Sequence, residues 1–268
     1  MISLMDEQRV AGRRSSRRAL PEDRLEDLIR AGAAVFSRRG YRRTQMAEVA
    51  REMGVSPGNV YNYVEGKDAL FYLVLRRGFG ERPGEEPPEL PVTGASVEVT
   101  SNWVARRLDF VSDFPELEAA FVRTQPSDPR AEVEAVVGEL YDVLIRVRLG
   151  VDMIERSIED VPELARIFAG VRRELFARYE RYLRQRAAAG AIRVEHAQAV
   201  AHLLVELCSW AARRRPHDPD ATQIPDAVAR QAVCRFAANA LLAPAGPRRS
   251  RMGGNGPSND EDAQLNAR

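Results

Sequence analysis

Residues 44–71, TQMAEVAREMGVSPGNVYNYVEGKDALF, compress a short amphipathic helix, a glycine turn, a second short helix and the start of a third into one run. Met46, Val49, Ala50 and Met53 recur at i, i+3, i+4 and i+7, which is one apolar stripe on a helix of about two turns. Thr44 stands before it as the expected N-cap. Gly54 follows the last periodic residue, where glycine takes a left-handed C-cap conformation cheaply, and Ser56-Pro57 reads as an N-cap followed by the favoured first helical position. Only Val55 and Val60 are plainly apolar in the second helix, so it is too short and too polar to be stable alone. Its outer face is free for contact. The competing reading is an ordinary tight corner of an all-α protein.

Three details favour a helix-turn-helix that reads DNA. Gly58 and Asn59 are poor helix formers, but small and amide side chains let a helix approach base edges and hydrogen-bond to them, and Asn62 lies on the next turn of the same face. Tyr61 and Tyr63 offer hydroxyls suited to phosphate oxygens, with one of the two expected in the core. Lys67 opens the next helix, where the macrodipole disfavours a cation unless an anion is met there, and it is the only lysine beside thirty-nine arginines. Set against this, Asp68 could simply neutralise Lys67. The candidate DNA contacts are therefore Thr44, Ser56, Pro57, Gly58, Asn59, Tyr61, Asn62, Tyr63 and Lys67.

These residues resemble the TetR family of ligand-responsive helix-turn-helix transcriptional regulators over roughly 25–75. Ile29, Ala33, Phe36, Gly40, Tyr41 and Thr44 are similar to the family's first helix and following turn; Val49, Ala50, Gly54, Val55, Ser56, Gly58, Tyr61, Lys67 and Leu70 fit its next elements. Val64 departs, standing where many members have Phe. A weaker resemblance runs through 153–193, carried by Pro162-Glu163-Leu164 and by Gly190, Ile192 and Arg193. The resemblance implies a homodimer, double-stranded operator DNA as partner, a small-molecule effector and, by family habit, repression.

Charge and composition fit that reading. Residues 1–80 hold 15 Lys and Arg against 10 Asp and Glu, a balance of +5, which leaves −4 for the remainder. The basic part contains the helix-turn-helix, and a local field is what attracts DNA. Arg38, Arg39, Arg42 and Arg43 bracket the turn before the second helix, where they suit either phosphates or a helix C-terminus. Cys208 and Cys234 form no disulfide framework and are expected as reduced, buried thiols. With no secretory segment and no apolar run near the roughly 18 residues of a membrane span, a cytoplasmic protein is expected.

The rival class, an all-α enzyme, finds little support. The i, i+4 pair His202 and Glu206 has metal-ligand spacing, but no second such pair accompanies it. Phosphate loops, HExxH and Gly-x-Ser-x-Gly are absent from the sequence, so neither cofactor nor metal is expected. A small-molecule-binding protein without DNA contact leaves Thr44 to Lys67 unexplained.

Along the chain, residues 1–20, with Arg13, Arg14, Arg17 and Arg18, read as a disordered basic arm, and 21–80 as a DNA-binding domain of three helices with a linking fourth. Its first helix is expected over about 22–38. The stretch 81–94 carries four prolines and two glycines, which marks a linker. Residues 95–243 form the expected ligand-binding and dimerisation domain, with helices over about 95–112, 115–123, 130–157, 162–188, 195–214 and 225–242. The tail, 244–268, is expected to be disordered. The fold class is thus all-α, with two domains.

Within the larger domain, Leu203, Leu204, Leu207, Trp210, Val233, Phe236 and Leu241 give the last two helices broad apolar faces, which suit either a four-helix dimer interface or internal core. Trp103, Phe110, Phe121, Tyr141, Ile145, Met153, Phe168 and Phe176 are the candidates for lining an effector cavity among the middle helices; the reason to expect a cavity is the resemblance.

Overall fold

The computed structural model describes residues 22–80, 85–108 and 114–242. The basic arm and the tail lie outside the described residues. Among these residues the regular structure is helical, with one isolated bridge between Val64 and Val92 in place of any sheet. In chain order the helices are α1 (Glu22–Arg43), α2 (Met46–Glu52), α3 (Pro57–Val60), α4 (Lys67–Phe79), α5 (Val97–Arg107), α6 (Pro115–Val122), α7 (Pro129–Arg146), α8 (Arg148–Ser157), α9 (Pro162–Ala188), α10 (Ala197–Ser209) and α11 (Asp226–Leu242). A π turn, Trp210–Arg214, and one 3-10 turn, Arg215–His217, extend α10 and end its run at Pro216.

Two expectations change. The single helix over 130–157 is two, broken at Val147 (φ −97°, ψ 7°). Neither proline nor glycine marks the break, so no local signal announces it. Its cause is tertiary: Val143 and Leu144 pack in one apolar core, Val151, Met153 and Ile154 in another, and the chain must turn between them. Thr44 is not the N-cap of α2. Gln45 holds that position in extended conformation without a side-chain cap bond, while Thr44, only 3% exposed, donates its hydroxyl to the Gly40 carbonyl at 2.8 Å. The acceptor lies at a kink in α1, where Gly40 takes φ 75°, a left-handed conformation that glycine alone adopts without strain.

The first core joins α1–α5, α8 and the beginning of α9; the second joins α6, α7, the end of α9, α10 and α11. This division does not fall at 81–94. The described part of that stretch is no free spacer: Val92 donates its amide to the Tyr63 carbonyl (2.8 Å) and accepts from the Glu65 amide (3.0 Å). Trp103 of α5 donates its indole N–H to Glu85 at 2.8 Å, and Arg76 of α4 donates to the Glu86 carbonyl. The segment therefore straps α5 and α4 to the end of the helix-turn-helix.

Helix α8 lies along both α4 and α1. The approach to α4 is possible because glycines face each other. A Cβ on Gly78 would sit 2.6 Å from the Gly150 nitrogen, and a Cβ on Gly150 would sit 2.7 Å from ring carbons of Phe79. Ordinarily, alanine for glycine inside a helix gains about 1 kcal/mol. Here the obstacle is backbone, so Gly78→Ala should lower stability by about 1 to 3 kcal/mol, the cost of overpacking. Gly170→Ala in α9, where the nearest atom is 3.9 Å away, should raise it. Urea midpoints of the two variants check the opposite signs.

Candidate nucleic-acid interface

The helix-turn-helix is held from below. Val49 and Ala50 of α2 and Val60 of α3 are buried, and Phe36, Tyr41 and Phe71 cluster beneath them with ring centroids 4.9 Å (Tyr41–Phe71) and 5.1 Å (Phe36–Phe71) apart. Gly54 makes the turn at φ 68°, and Ser56 enters α3 in extended conformation ahead of Pro57. Helix α3 is only four residues long, so its shape depends on this packing and not on its own hydrogen bonds.

Everything on α3 except Val60 faces outward. Ser56, Pro57, Gly58, Asn59, Tyr61 and Asn62 form one exposed run. A Cβ on Gly58 would meet nothing within 4 Å, and Ser56 makes no side-chain cap bond. The side-chain amides of Asn59 and Asn62 have no hydrogen-bond partner among the described residues, while their main-chain N–H groups bond the carbonyls of Ser56 and Asn59. Two candidates fall elsewhere. Tyr63 is buried, its ring part of the first core, so Tyr61 is the exposed phenol of the pair. Thr44, buried and bonded to Gly40, has no hydroxyl to present to a phosphate.

Lys67 is half-buried at the start of α4. Its Nζ donates to the Arg42 carbonyl at 3.2 Å and lies 4.6 Å from the centroid of the Tyr41 ring. Asp68 does not neutralise it. That carboxylate accepts from the Tyr41 hydroxyl at 2.5 Å, and burial together with Asp68 pushes the Tyr41 phenol well above its ordinary range. Lys67 thus fastens the α1–α2 turn to α4 with one of its three donors and keeps two.

The arginines around that turn are partly committed. Arg38 pairs with Glu52 (2.5 Å) and Arg39 with Glu48 (3.0 Å), clamping α1 on α2. The Arg42 amide bonds Asp160 beyond α8 (2.8 Å), and Arg43 donates to the Arg39 carbonyl (3.0 Å). Glu48 and Glu52, four apart on α2 and opposite paired arginines, were the signal that sequence reading passed over. The tie of Val92 to Tyr63 and Glu65 had no such signal, because it is made by main chain alone.

The proposed cavity and interface residues scatter more. Trp103, Met153 and Phe168 pack in the first core and Phe121, Tyr141, Ile145 and Phe176 in the second, so they do not line one cavity; Phe110 lies outside the described residues. Trp103 and Tyr141 also have their polar ends engaged, by Glu85 and by the Asp226 carbonyl. Leu204, Val233 and Leu241 are buried within their own chain, whereas Leu203, at 71% exposure, Phe236, at 65%, and Trp210 face outward, with Leu207 half-buried beside them. His202 stacks on Phe176 (4.0 Å between centroids, 8° between planes) and Glu206 accepts from Arg172, so that pair is already occupied.

Comparison with known proteins gives the same two regions. The family model described as bacterial regulatory proteins, tetR family, matches residues 28–73, and that of the AefR-like transcriptional repressor C-terminal domain matches 153–242. The HTH-type transcriptional regulator HbdR of Aromatoleum sp. (strain CIB) is 34% identical over 71 residues, 26% of this chain and 31% of that protein. The HTH-type transcriptional repressor DrrR1 of Streptomyces coeruleorubidus is 35% identical over 79 residues, 30% of this chain and 28% of that protein. The match thus spans under a third of either relative. Among solved structures, the ketosteroid transcriptional regulator KstR2 of Mycobacterium tuberculosis aligns over 84% of this chain and 98% of its own, with 14% identity and a TM-score of 0.49. With both its N-terminal helix-turn-helix and its C-terminal helices matched by models of one family, the chain belongs to the TetR family of bacterial regulatory proteins.

Proposed function

We propose that the protein is a cytoplasmic, sequence-specific DNA-binding transcriptional regulator, a homodimer without enzymatic activity that represses until a small molecule releases it. The observation that carries this reading is the exposed run from Ser56 to Asn62. Its glycine, serine and two free amides are held on one buried valine, in the segment that the family model matches. A four-residue helix touches few base pairs, so one copy has little specificity and two half-sites about 34 to 36 Å apart supply the rest. Leu203, Trp210 and Phe236 support the pairing: large apolar side chains left in water on the last two helices gain from a symmetry mate. The domains read from the sequence, 21–80 for DNA and 95–243 for ligand and partner, stay part of this proposal. In it, ligand displaces α8, which lies along α4, and α4 changes the separation of the two reading helices. Ligand must bind the two arrangements with different affinity. An electrophoretic shift with the gene's own upstream DNA tests the reading as a whole, and absence of any shifted complex would overturn it.

Three outcomes follow for single residues. Asn59→Ala or Asn62→Ala should cost about 1 to 3 kcal/mol on the preferred operator and much less on random DNA, because a bidentate amide–adenine contact is base-specific. Competition between operator and scrambled duplex at one salt concentration measures the ratio; equal losses would assign both amides to the backbone.

For Lys67→Ala, the expected outcome is weaker binding to operator and random DNA alike, with a salt slope shallower by about 1, as for one lost phosphate contact. An unchanged slope in a folded variant would leave Lys67 only its tie to Arg42.

Sedimentation should show Leu203→Glu and Phe236→Glu as folded monomers, since an interface core does not hold an unpaired carboxylate cheaply. Leu204→Glu reports on folding instead, because that residue is buried in its own chain. Dimers indistinguishable from wild type for both surface variants would move the interface elsewhere.

A further inference from the structure

A cleft of about 660 Å³ opens where three parts of the fold meet, away from α3. Ser37 of α1 forms one wall, Asp152, Glu155 and Arg156 of α8 the second, and Arg213, Arg214 and His217 from the turns after α10 the third. That size suits a metabolite. None of the cavity candidates read from the sequence lines it.

The charges in the cleft are unevenly used. Arg213, 3% exposed, donates to Asp152 at 2.7 Å and to Glu155 at 2.6 Å, so both carboxylates are spent on one buried guanidinium. Three arginines face two carboxylates, and the surplus is not spread evenly. Arg156 and Arg214 are exposed and have no ion pair or hydrogen-bond partner among the described residues, and neither has the His217 ring. Arginines that border other clefts are paired: Arg230 has Asp142 at 2.7 Å and Arg184 has Glu180 at 2.5 Å. Two guanidinium groups on different walls, with an imidazole and a serine hydroxyl beside them, offer planar paired donors with no acceptor among the described residues.

We propose that this cleft binds a small polyanion, a metabolite with at least two carboxylate or phosphate groups, held by Arg156 from α8 and by Arg214 and His217 from the α10–α11 connection, with Ser37 donating from α1. A single negative charge would satisfy one wall. Two or more tie α1, which carries the helix-turn-helix, to the end of α10. Arg213 already joins α8 to the α10 end at the floor of the cleft, so the walls are set before the ligand arrives, which limits the entropy lost on binding. Use of this site by an effector rests on the regulator reading above; binding itself does not, and it is measured without DNA.

The test is calorimetry and thermal unfolding of the full chain with citrate, inorganic pyrophosphate and acetate at matched ionic strength. Citrate or pyrophosphate should bind saturably and raise the unfolding midpoint, at least about tenfold more tightly than acetate, because two charges are engaged together. Whichever of the two binds tighter assigns carboxylate or phosphate. The double variant Arg156→Gln, Arg214→Gln should lose about tenfold or more, and His217→Ala should weaken binding from the same wall independently. Arg173→Gln, an exposed arginine of α9 outside the cleft, should bind as wild type. Polyanion binding no tighter than acetate, or binding that survives the double substitution in a folded protein, would overturn the assignment.

Discussion

The contact between Gly78 and Gly150 sets the spacing on which the rest of the molecule depends. Two helices normally stand 8 to 10 Å apart because side chains intervene. At this crossing there is no side chain on either partner, and the Phe79 ring covers the bare backbone of Gly150. The α4 end therefore sits directly on α8, and what moves one helix must move the other. Close packing of this kind is poorly deformable, so it transmits displacement instead of absorbing it. Arg107 adds to the join, donating from α5 to the carbonyls of Phe79 and Gly80 just past the contact.

Away from that crossing, much of the interior is held by arginine. Arg186, almost wholly buried, meets Glu132 and the carbonyls of Ala120 and Arg123; Arg215 meets Asp226 and the carbonyls of Ala211 and Ile224. A guanidinium has five donors in a rigid fork and can join three elements at once, which an ammonium cannot do with the same geometry. Such buried pairs add little net stability, because desolvation offsets attraction. Their effect is specificity of arrangement: removal of Glu132 would strand a charge between α6, α7 and α9. A chain with thirty-nine arginines and one lysine is suited to this style of construction.

How much of this was legible follows from the range of the forces involved. The helix-turn-helix was readable because its signals are local: the Met46–Met53 stripe, Gly54 with its positive φ, and Ser56 before Pro57 all lie within a few residues of what they determine. Helix α9 was readable at both ends for the same reason, with Pro162 at its start and Gly190 just past its end. The break at Val147 was not, since only the division of Val143 and Val151 between two cores requires it. Thr44 misled for a related reason: a hydroxyl before an apolar stripe is a good N-cap, but the kink at Gly40 brought a nearer acceptor. Of the candidate site, the exposed side of α3 could be read from period and polarity. The aromatic residues offered for a cavity could not, because apolar periodicity shows that a residue is buried and not beside what.

The strap between α4 and α5 has a consequence for how this sequence can change over time. Its hold on the helix-turn-helix passes chiefly through main-chain groups at Val92, Tyr63 and Glu65, which every residue type but proline supplies in full, with the Glu65 carboxylate adding one bond from the Gly94 amide. Mutation can therefore rewrite most of the segment without cutting the tie. The prolines at 87, 88 and 91 can come and go as the chain diverges, while position 92 itself cannot accept one and keep its amide bond to Tyr63. A lineage could thus remodel this edge of the molecule freely, and with it whatever touches that edge, and still inherit the same placement of the short helix that ends just before Tyr61.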